Sequence, residues 1–182
     1  MDIFSSDYPV IQTKRLALRP LENRDLASLY ELYNSPDTQA FQSKHYYSVE
    51  ALGQYISGQT NAFRSKEKIM WGIERKADGK LIGVRILYND GNQTFEIQGD
   101  TRTEFWRQGY TKEAYRAIID FLKKSYEKCT VYGKVQAQNI GAKRLLESLE
   151  FTQTGMHQNN GITFLTYTKE IKKNWISKVF SV

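Results

Sequence analysis

"EFWRQGYTKEA", Glu104 to Ala114, is the stretch on which the reading of this chain turns. Just upstream, "QTFEIQGD" (93–100) has the alternation of a strand; just downstream, Tyr115, Ile118, Ile119 and Leu122 recur at the spacing of a helix lying on a sheet. Gly109 stands where that helix begins. The first turn of a helix leaves backbone N–H groups unpaired and carries the positive end of the dipole, so a glycine there lets an anion come close to the main chain. A tight turn is the other reading of the same residues, and the rest of the chain has to decide.

Working outward, "KCTVYGKVQAQ" (128–138) reads as a strand, so strand, helix and strand form a right-handed parallel crossover. Before it, "IMWGIER", a turn at Asp78-Gly79, "LIGVRILY" and a turn at "NDGN" lead into "QTFEIQGD" as an antiparallel meander. Earlier still, "RLALRPL" alternates Leu16 and Leu18 against Arg15, Ala17 and Arg19, a strand with one buried face. "RDLASLYELYN" is a helix carried by Leu26, Leu29, Tyr30 and Tyr33 and stopped by Pro36. A second helix starts at the N-cap candidate Ser48 and uses Val49, Leu52, Ile56 and Phe63. After the crossover, Ala142, Leu145, Leu146 and Leu149 give a further helix, and "FTQTGM" with "ITFLTYTKE" closes as a hairpin around Asn159 to Gly161. The order predicts a mixed α/β fold: a largely antiparallel sheet with one parallel crossover, flanked by about four helices.

At 182 residues and 40% hydrophobic content, the expectation is one domain over 1–182, its core at about 13–170. The basic tail 171–182 places Ile171, Trp175, Val179 and Phe180 at roughly helical intervals, which suits self-packing or a homodimer contact better than a membrane surface. No apolar run reaches the roughly 20 residues of a membrane span, and the N-terminus lacks the order of a secretory signal, so a cytoplasmic protein with no membrane partner is expected. One cysteine, Cys129, and two histidines, His45 and His157, make an internal disulfide and a structural metal site poor expectations. The net charge of +6 favours an anionic partner. Lysines and arginines are scattered rather than clustered, so that partner is not expected to be nucleic acid.

Three segments resemble the GNAT N-acetyltransferase fold, in its ribosomal-protein alanine acetyltransferase (RimJ/RimL-like) branch. "TKRLALRPL" (13–21) is similar to the branch's opening strand, "EFWRQGYTKEA" to its "yWGkGyatEA" loop and "NIGAKRLLESLEF" (139–151) to its "NxxSxxxLxxxGF" helix. Trp106, Gly109, Tyr110, Glu113 and Ala114 fall in register, as do Asn139, Leu146 and Phe151.

The resemblance implies an acetyl-CoA-dependent N-acetyltransferase acting on a protein N-terminus or a small-molecule amine by direct attack in a ternary complex, with CoA as product. It places the cofactor in a gap where the family's fourth and fifth strands splay, here "FEIQGD" and "KCTVYGKVQAQ". Ile97 and Gln98 would pair with the pantetheine arm, and Arg107, Gln108, Gly109, Tyr110, Thr111 and Lys112 would hold the pyrophosphate. Asn139 corresponds to the asparagine near the cofactor arm; it is equally a plain N-cap. Glu96, on the strand facing the acceptor, is either the base that takes the amine proton, if burial raises its pKa, or a solvent-side residue of an alternating strand. Phe41, His45, Tyr46 and His157, with Trp71 unless it fills the core, could line an aromatic pocket for the amine.

The chain also departs from the pattern. Ala142 stands for the branch's serine, Arg107 and Glu150 for glycines, and Thr111 for a small residue. Leu146 occupies the position where many members carry the tyrosine that protonates the leaving thiolate, which leaves Tyr110, Tyr132 and Tyr167 as candidates. A non-catalytic CoA-binding or sensory domain is therefore the competing expectation.

Overall fold

The computed structural model describes residues 2–4, 7–40 and 48–173. An eight-stranded sheet runs in the order β1-β2-β3-β4-β5-β6-β8-β7. Its strands are β1 (Ile11–Gln12), β2 (Leu16–Arg19), β3 (Lys68–Arg75), β4 (Lys80–Asn89), β5 (Thr94–Gln98), β6 (Lys128–Gln136), β7 (Thr152–Asn159) and β8 (Ile162–Lys172). All neighbours pair antiparallel except β5 and β6, the parallel pair joined by the crossover helix. The helices are α1 (Leu26–Asn34), α2 (Pro36–Gln39), α3 (Val49–Arg64), α4 (Tyr110–Ser125) and α5 (Ile140–Glu147), with 3-10 turns at Asn23–Asp25 and Thr103–Phe105.

The sheet is covered on both faces. Tyr115, Ile118, Ile119 and Leu122 of α4 pack with Trp71, Leu87, Phe95 and Ile97 on one side, while Leu29 and Leu32 of α1 and Leu52 and Ile56 of α3 pack with Met70, Val84 and Ile86 on the other. Two-sided cover changes the reading of β2, whose four residues are all buried. Arg19 is accommodated there by Asp25 at 2.7 and 2.9 Å and Glu74 at 2.7 Å, a buried cation made tolerable by two carboxylates. On α1 the buried side chains are Leu29, Leu32 and Tyr33, and Tyr30 faces solvent.

Local chemistry accounts for the element ends. The Ser48 hydroxyl accepts from Ala51 N at 3.1 Å and caps α3. Asn160 and Gly161, with φ of 48° and 77°, turn the β7–β8 hairpin through two left-handed residues. Ile171 is 1% exposed and pairs with Cys129 inside β8, so the strand claims the first residues of the expected tail. Trp175, Val179 and Phe180 lie outside the described residues.

Helix α5 ends in a Schellman-type cap: Glu150 N donates to Glu147 O at 2.9 Å and Phe151 N to Leu146 O at 3.0 Å. The cap needs a left-handed residue and has Glu150 at φ 64° instead of glycine. Glu150→Gly is expected to raise the melting temperature by about 2–4 °C, because relief of that strain outweighs the exposed Lys169 pair. Thermal unfolding monitored by circular dichroism checks it; an unchanged or lower midpoint would refute it.

Candidate active site

The site begins where β5 leaves β6. Their pairing stops at Glu96 opposite Tyr132, although β6 continues beside β8 as far as Gln136. Beyond Gln98 the chain stays with β4 instead: Val84 N donates to Asp100 O and Arg102 N to Ile82 O, both at 2.9 Å, with Gly83 opposite Thr101. Two glycines allow this. A Cβ on Gly83 would overlap Asp100 O, and one on Gly99, at φ 137°, would overlap Val84 O. Asp100 C=O and Arg102 N–H are taken by β4, so the alternation of a strand turns the Thr101 N–H toward the gap.

The glycine loop closes one end of that gap. Gly109, at φ 80°, is the N-cap of α4, and the first main-chain bond of the helix runs from Glu113 N to Gly109 O at 3.0 Å. The N–H groups of Tyr110, Thr111 and Lys112 thus have no acceptor within the helix. Arg107 keeps a left-handed backbone, φ 58°, where the resemblance calls for glycine. Trp106 Nε1 donates to Thr101 O at 2.6 Å, Gln108 Nε2 to Glu104 O at 2.8 Å, and Arg15 Nη1 to Gln108 O at 3.0 Å, fixing the loop from three directions. Glu113 ties the helix to the β1–β2 turn through Thr13 Oγ1 at 2.6 Å, Arg15 N at 3.0 Å and Arg15 Nε at 2.6 Å. Burial pushes its pKa up, but those donors hold the carboxyl below its ordinary range. A rigid turn, unpaired N–H groups and a glycine whose missing Cβ would meet only the flexible Arg15 side chain fit a pyrophosphate.

At the other end, Asn139 caps α5 by accepting from Ala142 N at 2.9 Å, which leaves its amide hydrogens for a ligand. Ile97 and Gln98 lie at the point of divergence: a Cβ on Gly133 of β6 would stand 3.4 Å from Ile97 O. Glu96 is 8% exposed, on the sheet face of α1 and α3, and in register with Tyr88 of β4 and Tyr132 of β6. Its carboxylate accepts from Gln98 Nε2 at 2.9 Å and Lys134 Nζ at 3.2 Å, and shares with Asp90 the single hydrogen of Tyr132 Oη, 3.2 Å away. It is neither solvent-side nor unengaged.

Other expected residues are placed differently. The Tyr110 ring lies under the Arg15 guanidinium at 4.3 Å and edge-on to Phe105, on the β1–β3 side of the helix end rather than in the gap. Tyr167 donates to Glu147 at 3.0 Å, and Tyr132 to Asp90; burial pushes both phenols up. Trp71 is fully buried, donates Nε1 to Pro9 O at 2.8 Å and fills the core under Phe121, so it does not line an acceptor pocket. His157 is exposed on β7, stacked on Phe164. Phe41, His45 and Tyr46 lie outside the described residues. Gly109 and Lys112 also border an open cavity of about 750 Å³ between Val10–Arg15 and α4, to which β5, β6 and α5 contribute nothing.

The sequence reading missed Arg85 and Thr101. Arg85 is 1% exposed, with Nη1 donating to Asp100 O and Nη2 to Thr101 Oγ1, each at 2.7 Å. A cation among the apolar residues of "LIGVRILY" was the available signal.

Comparisons with known proteins agree with this architecture. A family model described as "Acetyltransferase (GNAT) domain" matches residues 15–152. An uncharacterized N-acetyltransferase, YoaA of Bacillus subtilis (strain 168), is 24% identical over 160 residues, 84% of this chain and 90% of the relative. The ribosomal-protein-S5-alanine acetyltransferase of Vibrio fischeri superposes with a TM-score of 0.79 at 14% identity over 92% of this chain and 98% of its own. RimL, a ribosomal L7/L12 α-N-protein acetyltransferase solved with coenzyme A, gives 0.79 at 16% identity over 91% and 100%. At such identities the superpositions speak for the fold, whereas the family match covers most of the sheet and both helices of the gap. The chain belongs to the GNAT acetyltransferase family, a family of acyltransferases.

Proposed function

We propose that the chain transfers an acetyl group from acetyl-CoA to a primary amine, and that the amine is the N-terminus of a protein or peptide. The observation carrying this is the parting of β5 from β6 next to the unpaired N–H groups of α4. Acetyl-CoA, when bound, supplies an acyl group activated as a thioester. Tyr110–Lys112 N–H groups, with Arg107 beside them, would hold the pyrophosphate; the edge from Ile97 to Thr101 would hold the pantetheine arm; Asn139 would close the far end. The Thr101 N–H is among the main-chain donors on that edge suited to a developing oxyanion. Glu96, one strand position from the divergence, would take the amine proton directly or through a water.

Two features support the acceptor class. Lys68 lies 5.3 Å over the Tyr88 ring and Lys134 5.2 Å over the Tyr132 ring, so the aromatic faces flanking Glu96 already carry cations. With a net charge of +6, that surrounding disfavours a polycationic amine and suits a peptide N-terminus with one charge to lose. RimL and the Vibrio fischeri neighbour are named for protein substrates.

The competing reading, a CoA-binding domain without turnover, draws on Ala142, Leu146 and the engagement of Glu96 by Lys134. A titration with acetyl-CoA followed by a thiol-release assay over peptides and small amines separates the two. Saturation at 100 times the dissociation constant is expected to stabilise by about 2.7 kcal/mol, a rise of about 5–10 °C in melting temperature. Release of free thiol with at least one peptide is then expected. Stabilisation without turnover on any acceptor would favour the binding domain, and no stabilisation would remove both readings.

A further inference from the structure

We propose that Thr111 is a phosphate-binding donor whose hydroxyl is oriented by the buried Arg85 through Thr101. The inference rests on the acetyl-CoA reading of the gap. Arg85 lies on the α4 face of β4, its guanidinium 5.3 Å from the Tyr115 ring centroid, and meets neutral oxygens: Val84 O, Asp100 O and Thr101 Oγ1. Its buried Nε has no acceptor. A guanidinium held this way carries a desolvation cost that an apolar side chain of similar length would avoid, so its hydrogen bonds serve geometry rather than net stability.

Thr101 is the hub of that geometry. Arg85 grips its hydroxyl, Trp106 its carbonyl, and Thr111 Oγ1 lies 3.0 Å from Thr101 Oγ1. Trp106 and Thr111 bracket the loop 107–110, so both ends of the loop are pinned to one residue, which Arg85 pins to β4. The protons can be followed along the chain. Arginine only donates, so Thr101 Oγ1 accepts from Arg85, and the hydrogen of Thr101 needs an acceptor in a half-buried place. Thr111 Oγ1 is that acceptor. The Thr111 hydrogen is then left to point outward, at the first turn of α4, where an anion is expected. A charged donor at the head of such a chain strengthens the bonds after it.

This reading and a steric one predict opposite signs. If Thr111 merely narrowed the phosphate cradle, Thr111→Ala would tighten CoA binding. As a polarised donor, its loss weakens binding about tenfold in Thr111→Ala and in the isosteric Thr111→Val, while Thr111→Ser restores it to within about twofold. Isothermal titration with CoA reads these constants. Arg85→Met is expected to weaken CoA several-fold in the wild-type background and by a clearly smaller factor in Thr111→Val, since part of its effect travels through that hydroxyl and the rest through its hold on Asp100 and Thr101. Tighter or unchanged binding in Thr111→Val, failure of Thr111→Ser to rescue, or additive effects of the two positions would overturn the proposal with the acetyl-CoA reading intact. A wild-type chain that does not bind CoA would overturn both. If Arg85→Met does not fold, the comparison of alanine, valine and serine at position 111 decides alone.

Discussion

Replacing Gly109 by aspartate is expected to weaken acetyl-CoA binding by about 100-fold or more while leaving the protein folded. Space is available, because a Cβ there meets only Arg15 Nη2 at 3.4 Å, the end of a flexible side chain. Aspartate tolerates the left-handed backbone better than most residues, and a negative charge at a helix N-terminus is favourable in itself. The damage is confined to the ligand. A carboxylate at that place competes for the N–H groups a pyrophosphate would use and repels its charge; at about 4 Å and an effective dielectric of 20, that repulsion is on the order of 4 kcal/mol. Even partly screened, about 3 kcal/mol remains, a factor of about 100 in the dissociation constant. Calorimetric titration of the folded variant checks it. A constant within threefold of wild type would place the phosphates away from the first turn of α4 and overturn the glycine-loop reading of the site.

How far the chain could be read in advance follows from what each signal depends on. Helix α4 and strands β3 to β6 were legible because periodicity is a local property, and Gly109 was legible because a left-handed N-cap needs that residue type. The two-residue β1 was not, since a pair of residues has no period; only its pairing with Leu18 and Ala17 creates it. The burial of Arg19 depends on Asp25 and Glu74, the latter 55 positions away, and nothing in "RLALRPL" announces them. Tyr110 illustrates the same limit. Its position in the loop was readable, but its direction is set by Arg15 and Phe105, contacts that exist only once β2 lies beside the helix end. Arg85 was visible as an anomaly; its meaning required seeing that Gly83 and Gly99 bring Thr101 within its reach.

The loss of Tyr110, Tyr132 and Tyr167 as candidates for the thiolate acid is less damaging than the sequence alone suggests. None of Tyr110, Tyr132 and Tyr167 directs its hydroxyl at the gap: one lies under Arg15, and the other two are bonded to carboxylates. A thiol with a pKa near 8.5 is a tolerable leaving group unassisted, and solvent can protonate it. A neutral amine is the harder requirement at pH 7, so the demand falls on the base.

That demand sets the last expectation. Glu96→Gln should lower kcat by about 100- to 10,000-fold and leave the dissociation constant of acetyl-CoA within about twofold. The substitution is nearly isosteric: with the amide oxygen in the place of Oε2 it still accepts from Lys134, and its NH2 faces a Gln98 side chain that can turn its own amide oxygen to it, so the cluster with Tyr132 is kept while the capacity to take a proton is lost. The residual rate should have its own signature. With no base on the enzyme, only acceptor that is already neutral reacts, so the variant's rate should climb about tenfold per pH unit until the α-amine's own pKa, about 7.7–8.0, is reached. Stopped assays between pH 6 and 9 on a peptide acceptor would show it. A kcat within threefold of wild type across that range would mean that the Glu96 carboxylate serves to hold Lys134 and Tyr132 together, and that the amine loses its proton to water before it enters the gap.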